Sequence, residues 1–349
     1  MASNKHVEVY EDSTLKIVEK SMPQIADNEV LVKVHLSGLC GSDLPRIFNK
    51  GAHSYPITLG HEFSGTVVAL GDKVTKVKEG NHISCAPLVP CMACEQCDMG
   101  HYSLCKSYSF VGSRRQGGNA EYVAVPEVSC FVLPQGISMQ QGAFFEPVTV
   151  GVHPIVMNGG CKDLNVIVIG AGTIGLLTLQ VAKALGAKTV TAIDISDDKL
   201  ELAKQLGADY VVNSLDDSQI AWLCTNEELA KDQMIIELAG VASTFKLALK
   251  VAGPKAKVYL VGTIHKDFDL GFKEYEQILR KEATITGSWM NYSYLYPGKE
   301  WEIASQLFKE GKINTELLLD GIYRPLDYIK RVSELPKEPL RGKLLLDWE

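Results

Sequence analysis

The chain has 349 residues, 46% of them apolar and 22% charged, with a formal net charge of −7. That length suggests about two domains of ~150 residues each, in the composition of an ordinary soluble globular protein. The acidic balance excludes a sequence-independent hold on nucleic acid or on an anionic membrane surface. Residues Met1 to His6 carry no apolar core of a secretory signal, and no apolar run approaches the ~18 residues of a membrane helix. A cytoplasmic protein that does not enter membranes is expected.

In chain order, the first segments alternate apolar and polar residues, as in Glu29 to Leu36, Gly65 to Leu70 and Glu121 to Val125. Period two with β-branched residues predicts antiparallel strands, with turns at Gly71-Asp72 and Glu79-Gly80-Asn81. Residues 1 to about 150 therefore read as a β-rich, barrel-like domain. Within it, Leu39-Cys40-Gly41-Ser42-Asp43 and Leu59-Gly60-His61-Glu62 place a thiol, an imidazole, a hydroxyl and carboxylates in two short stretches. Sulfur with imidazole nitrogen suits Zn²⁺, and a catalytic zinc needs only three protein ligands with a fourth position open. Glu146, in Phe145-Glu146-Pro147, is the candidate third ligand.

Four of the nine cysteines fall close together, at Cys91, Cys94, Cys97 and Cys105. Four thiolates at this spacing can close a tetrahedral shell around a structural zinc, leaving no place for a substrate. Cys85, Cys130, Cys161 and Cys224 read as small apolar filler.

Beyond Gly142 the texture changes. The apolar run Asn165 to Ile169 predicts a buried parallel strand, and it leads straight into Gly170-Ala171-Gly172-Thr173-Ile174-Gly175. A helix is predicted over Leu176 to Leu185, then a strand over Thr189 to Ile193 that ends on Asp194, 19 positions after Gly175. Glycines for the tight turn, close backbone approach and helix packing, followed by an acid for the ribose, form a dinucleotide fingerprint. Gly170, Gly172, Thr173, Ile174, Gly175 and Asp194 are the candidate cofactor residues, and the carboxylate favours NAD over NADP. Further strands are predicted near 210–212, 234–236, 257–261 and 284–286, giving the six of a doubly wound parallel (Rossmann) sheet. The tail carries a helical stretch near Ile303 to Phe308 and a short apolar strand, Lys343 to Leu346, that could rejoin the first domain.

Taken together, these motifs resemble the zinc-containing medium-chain alcohol and polyol dehydrogenases over essentially the whole chain. Gly38 to Phe48 and Tyr55 to Gly65 carry the resemblance to the wider family; Phe110 to Arg115 and Gly287 to Ser293 point to its phosphorylated-polyol branch. The resemblance implies an α/β chain: a GroES-like catalytic domain, 1–153 with 292–349, and a Rossmann domain, 154–291. It further implies one catalytic zinc on Cys40, His61 and Glu146, with Glu62 as an alternate ligand, and one structural zinc on the four-cysteine set. Ser42 would pass the proton outward and Asp43 would orient His61. The histidine that often ends this relay is replaced by Pro45, which leaves His53, water or the cofactor ribose to finish it. For a polyol phosphate substrate, Arg46 comes first as a phosphate ligand, then Arg114 and Arg115, with Asn291 on a hydroxyl. Free sorbitol, xylitol or arabitol phosphate are the alternative substrates. A homodimer or homotetramer is the implied assembly.

Overall fold

The computed structural model describes residues 3–349, which divide into two compact units. The first comprises Met1–Glu146, Tyr292–Lys309 and Leu318–Glu349; the second comprises Pro147–Asn291 and Glu310–Leu317.

The first unit is built on a mostly antiparallel sheet. From one edge its strands run Cys130–Val132, His82–Cys85, Glu62–Leu70, Glu29–Gly38, Lys343–Asp347 and Leu319–Tyr323, with Tyr122–Pro126 also paired to Glu29–Gly38. Alternating burial along Glu29–Gly38 puts Val30, Val32 and Val34 into a core with Phe63, Ile83 and Val123. A second cluster, including Val7, Leu39, Ile47, Leu59, Tyr328 and Leu344, packs beneath the turn that follows Gly38. Each such side chain contributes roughly 1.5–3 kcal/mol when fully buried. The predicted tail strand is present as Lys343–Asp347 and pairs antiparallel with Glu29–Gly38.

The second unit holds six parallel strands in the order Tyr210–Asn213, Thr189–Asp194, Asn165–Ile169, Gln233–Glu237, Lys257–Leu260, Thr284–Gly287. This is the doubly wound order, with the sequence direction reversing beside the first strand. Asn165–Ile169 is buried at every position, which explains its unbroken apolar run. The helix Thr173–Ala184 starts three residues earlier than the periodicity predicts, because Gly172 takes the extended N-cap conformation. At Gly175 a Cβ would lie 1.8 Å from the Gly170 carbonyl oxygen, so only glycine lets this helix approach its strand. Among the described residues no helix is long and apolar enough to cross a membrane.

Candidate active site

Strand register assembles the site in the first unit. Gly38, at the end of one strand, faces Glu62, at the start of the next. The residues just outside that pair, Cys40 and His61, are thereby brought together. Gly60 precedes His61 with φ +93°, and a Cβ there would lie 2.5 Å from Asn119 Oδ1 and from Ser37 Oγ. The sharp entry into His61 therefore requires glycine.

Ligand atoms of Cys40, His61 and Glu62 all lie within 4.8 Å of one another. Glu62, the alternate ligand of the sequence reading, is thus the carboxylate inside this set. Glu146 is also buried and sits in the first turn of the helix Phe145–Met157. It lies close enough for its charge to act on His61. Phe145 fixes that turn by stacking on Phe308, with ring centroids 4.8 Å apart.

Cys40 caps the short turn Gly41–Asp43, its Sγ accepting from the Ser42 Oγ–H at 3.3 Å, while Asp43 Oδ2 accepts from the Cys40 N–H. Asp43 Oδ1 lies 3.6 Å from His61 Nδ1, which is longer than a hydrogen bond. Both His61 Nδ1 and Glu62 Oε1 are buried without hydrogen-bond partners. Burial disfavours the imidazolium, yet Asp43, Cys40 and Glu146 outweigh it and push the His61 pKa up to about 10. So concentrated a set of thiol, imidazole and carboxylates, with orphaned donor atoms, fits a divalent cation of zinc's preferences.

The second cluster is formed by Cys91, Cys94, Cys97 and Cys105. Sulfur–sulfur separations are 4.0 Å for Cys91–Cys97, 3.6 Å for Cys94–Cys97 and 3.9 Å for Cys94–Cys105. A tetrahedron with Zn–S bonds of about 2.3 Å has edges of about 3.8 Å, so these thiols already stand at metal-binding spacing. Tyr102, within the loop they define, meets Tyr296 edge to face at 5.2 Å.

In the second unit, Gly170, Gly172, Thr173, Ile174, Gly175 and Asp194 all line one cleft of about 1060 Å³. Gly172 caps the helix Thr173–Ala184, whose first N–H groups and positive dipole end suit a pyrophosphate. Asp194 Oδ2 accepts from the Ala171 N–H at 2.7 Å and Oδ1 from the Ser196 N–H at 3.0 Å, which fixes the carboxylate at the end of its strand. Lys199, which sequence reasoning passed over, lines the same cleft; its position five residues past Asp194 was the available signal.

The proposed phosphate and hydroxyl contacts scatter. Arg46 Nη1 donates to Ser42 O, Ser42 Oγ and Asp43 Oδ1, so Arg46 belongs to the Cys40 turn. Arg114 is exposed and lies over the Tyr108 ring at 4.3 Å. Arg115 is bound to Glu29 at 2.5 Å and to the Ala124 carbonyl. Asn291 is buried in the second unit and donates to Thr149 Oγ1. His53 is exposed. Lys343, which no motif flagged, is buried and donates from Nζ to Glu62 Oε2 at 2.5 Å and to the Leu39 carbonyl at 3.2 Å.

Comparison with known proteins agrees with this architecture. The family description "Alcohol dehydrogenase GroES-like domain" matches residues 26–135, and "Zinc-binding dehydrogenase" matches residues 173–310. The chain is 48% identical over 336 residues to galactitol 1-phosphate 5-dehydrogenase of Escherichia coli K12, covering 96% of this chain and 97% of that protein. The crystal structure of galactitol-1-phosphate dehydrogenase from Escherichia coli superposes with a TM-score of 0.94 at 48% identity, covering 98% and 99% of the two chains. An alcohol dehydrogenase from Escherichia coli CFT073 complexed with NADH gives 0.88 at 28% identity, covering 99% and 100%. The chain belongs to the zinc-binding alcohol dehydrogenase family, with a GroES-like domain followed by a Rossmann nucleotide-binding domain.

Proposed function

We propose that this enzyme oxidises a secondary hydroxyl of a sugar-alcohol phosphate, galactitol 1-phosphate at C5 giving tagatose 6-phosphate, with NAD⁺ as acceptor. The carrying observation is the set of half-buried Cys40 with buried His61 and carboxylate beside the Ser42 hydroxyl, in a chain 48% identical to an enzyme named for that reaction. Overall, alcohol and NAD⁺ give ketone, NADH and one proton.

Cys40, His61 and Glu146 hold the catalytic zinc in this reading, and Cys91, Cys94, Cys97 and Cys105 the structural one. When bound, zinc supplies a Lewis acid for the substrate oxygen and the nicotinamide supplies a hydride acceptor. The residues of the chain do the rest. Ser42 is exposed, with its hydroxyl 3.3 Å from Cys40 Sγ, and it relays the proton toward solvent. Asp43, fixed by Arg46, steadies the His61 ring through its charge at 3.6 Å. Gly170, Gly172, Thr173, Ile174 and Gly175 receive the cofactor pyrophosphate, and Asp194 the ribose hydroxyls, which favours NAD.

Arg46 is the phosphate ligand of this reading. Nη1 carries all its bonds among the described residues, which leaves Nη2 and Nε for a phosphate oxygen. Arg114 and Asn291 are weaker candidates, since each already has a partner in its own unit. The open edge strand Thr284–Gly287 supports a homodimer or homotetramer, and the reducing cytoplasm suits the free cysteines.

The test is NAD⁺ reduction by zinc-replete enzyme on galactitol 1-phosphate, galactitol, sorbitol and arabitol phosphate. A preference for the first supports the assignment. Preference for a free polyol overturns the phosphate reading and leaves Arg46 as a support for Asp43 alone.

A further inference from the structure

We propose that a cavity in the first unit, built from residues other than those of the Cys40–His61 centre, binds the phosphate group of a small metabolite. It encloses about 380 Å³, and none of Cys40, Ser42, Arg46, His61 or Glu146 lines it. That volume lies within the usual range for small-molecule sites.

The floor is polar and fixed. Asn4 and His6 are buried and stand two residues apart on the strand Ser3–Val9, hence on one face. The Asn4 amide pairs with both backbone groups of Tyr122, donating from Nδ2 to the carbonyl at 2.8 Å and accepting the N–H on Oδ1 at 2.9 Å. Nδ2 also meets His6 Nε2 at 2.9 Å. An amide nitrogen only donates, so Nε2 accepts, and the proton of a neutral imidazole sits on Nδ1, 3.0 Å from Thr58 Oγ1. Burial and the Lys20 charge push the His6 pKa down, as this arrangement requires.

Two cations line the walls, Lys20 and Arg115, each with one carboxylate partner. Every oxygen of those carboxylates is engaged. Glu29 Oε1 accepts from Arg115 Nη2 at 2.5 Å and Oε2 from the Ala26 N–H at 3.2 Å. Glu8 Oε1 meets the Lys20 ammonium, and Oε2 accepts from the Tyr10 hydroxyl at 3.2 Å. The cations keep donors in reserve. Nη2 carries every Arg115 bond among the described residues, to Glu29 and to the Ala124 carbonyl, which leaves Nε and Nη1. Lys20 has one partner among the described residues for the three N–H groups of an ammonium.

The cavity therefore has a surplus of donors, and the surplus sits on positive groups. An oxygen-rich anion satisfies it. A phosphate offers three terminal oxygens where a carboxylate offers two, and the guanidinium fork suits phosphate geometry.

The test is calorimetric titration of zinc-loaded enzyme with inorganic phosphate, under saturating NADH so that the dinucleotide cleft is filled. About one phosphate is expected per chain. Arg115→Met should weaken binding about tenfold, as for loss of a charged hydrogen bond. That variant also strips Glu29 of its partner, so two substitutions of Gln24, an exposed residue of the lining, serve as a second measure. Gln24→Glu should weaken binding and Gln24→Lys should tighten it, each about fivefold. A fold defect cannot tighten binding. Arg46→Met removes the ligand proposed for the substrate phosphate and should leave this affinity unchanged. Acetate should bind about tenfold more weakly than phosphate.

Phosphate binding that is lost in Arg46→Met but indifferent to Arg115 and Gln24 would place the anion at the Cys40 turn and overturn the proposal, while supporting the substrate reading. Absence of phosphate binding from the wild type would overturn it equally. Acetate binding as tightly as phosphate would overturn the phosphate assignment.

Discussion

Gly38 and Glu62 face each other across two antiparallel strands, and a Cβ on residue 38 would lie 2.6 Å from Glu62 Oε2. This facing pair sets the spacing of Cys40 and His61, so the geometry of the centre depends on a missing methyl group. Gly38→Ala is expected to destabilise the protein by about 1–3 kcal/mol, the usual range for overpacking a filled site. The urea midpoint should fall, and bound metal should fall with it because the strands that set Cys40 against His61 are pushed apart. A full metal complement with an unchanged midpoint would show that the strands give way freely.

Asp194 is held at the end of its strand by the N–H groups of Ala171 and Ser196. In the proposed reading, Asp194→Ala removes both the acceptor for the ribose hydroxyls and the charge that repels a 2′-phosphate. kcat/KM with NAD⁺ is expected to fall about 10–100-fold, as for loss of a charged hydrogen bond, while use of NADP⁺ improves. Steady-state kinetics with the two cofactors decides this, and an unchanged preference would move discrimination elsewhere in the cleft.

The four-thiolate loop should behave as a metal-dependent element. Cys94→Ser is expected to lose about one metal ion per chain and to lower the melting temperature, because closed tetrathiolate sites contribute directly to folding. Metal analysis and thermal unfolding read both effects. Full retention of metal would mean that three thiolates suffice.

Asp320 accepts two hydrogen bonds from Arg331, at 2.9 and 3.0 Å. Burial works to raise its pKa, but the Arg331 guanidinium and the Arg341 N–H outweigh this and hold it below the ordinary 3.8. A depressed carboxylate pKa adds stability above the unfolded-state value, and that stability is lost as pH falls through the folded value. Asp320→Asn should therefore cost about 1–3 kcal/mol at neutral pH, and the gap to wild type should close in acid below 3.8. Denaturant melts at neutral and acid pH measure the gap; a constant difference would assign the loss to packing.

Much of the second unit could be read directly from sequence, because its signals are local. A buried strand, a glycine turn, a helix and an acid follow one another within Asn165 to Asp194, and all six candidate cofactor residues line one cleft. The cysteine cluster was similarly legible, since its thiols fall within Cys91 to Cys105. What sequence could not supply was pairing at long range. That Glu62 stands beside Cys40 and His61 depends on the register of Glu29–Gly38 against Glu62–Leu70. Arg115 looks like a free phosphate ligand until Glu29, 86 residues earlier, is found against it. Lys343 carried a weak local signal, a charge heading the apolar run Leu344 to Leu346, but nothing nearby named its partner.

The strand Lys343–Asp347 also bears on how the protein is made. It lies between Glu29–Gly38 and Leu319–Tyr323, so the first sheet cannot close until that strand has left the ribosome. All six strands of the second sheet emerge earlier, ending at Gly287. During synthesis the nucleotide-binding sheet can therefore form while the first sheet still lacks the strand between Glu29–Gly38 and Leu319–Tyr323. The turn that carries Cys40, whose preceding residue Leu39 donates its N–H to the Leu344 carbonyl, is then expected to gain its last backbone support after the nucleotide-binding sheet is complete.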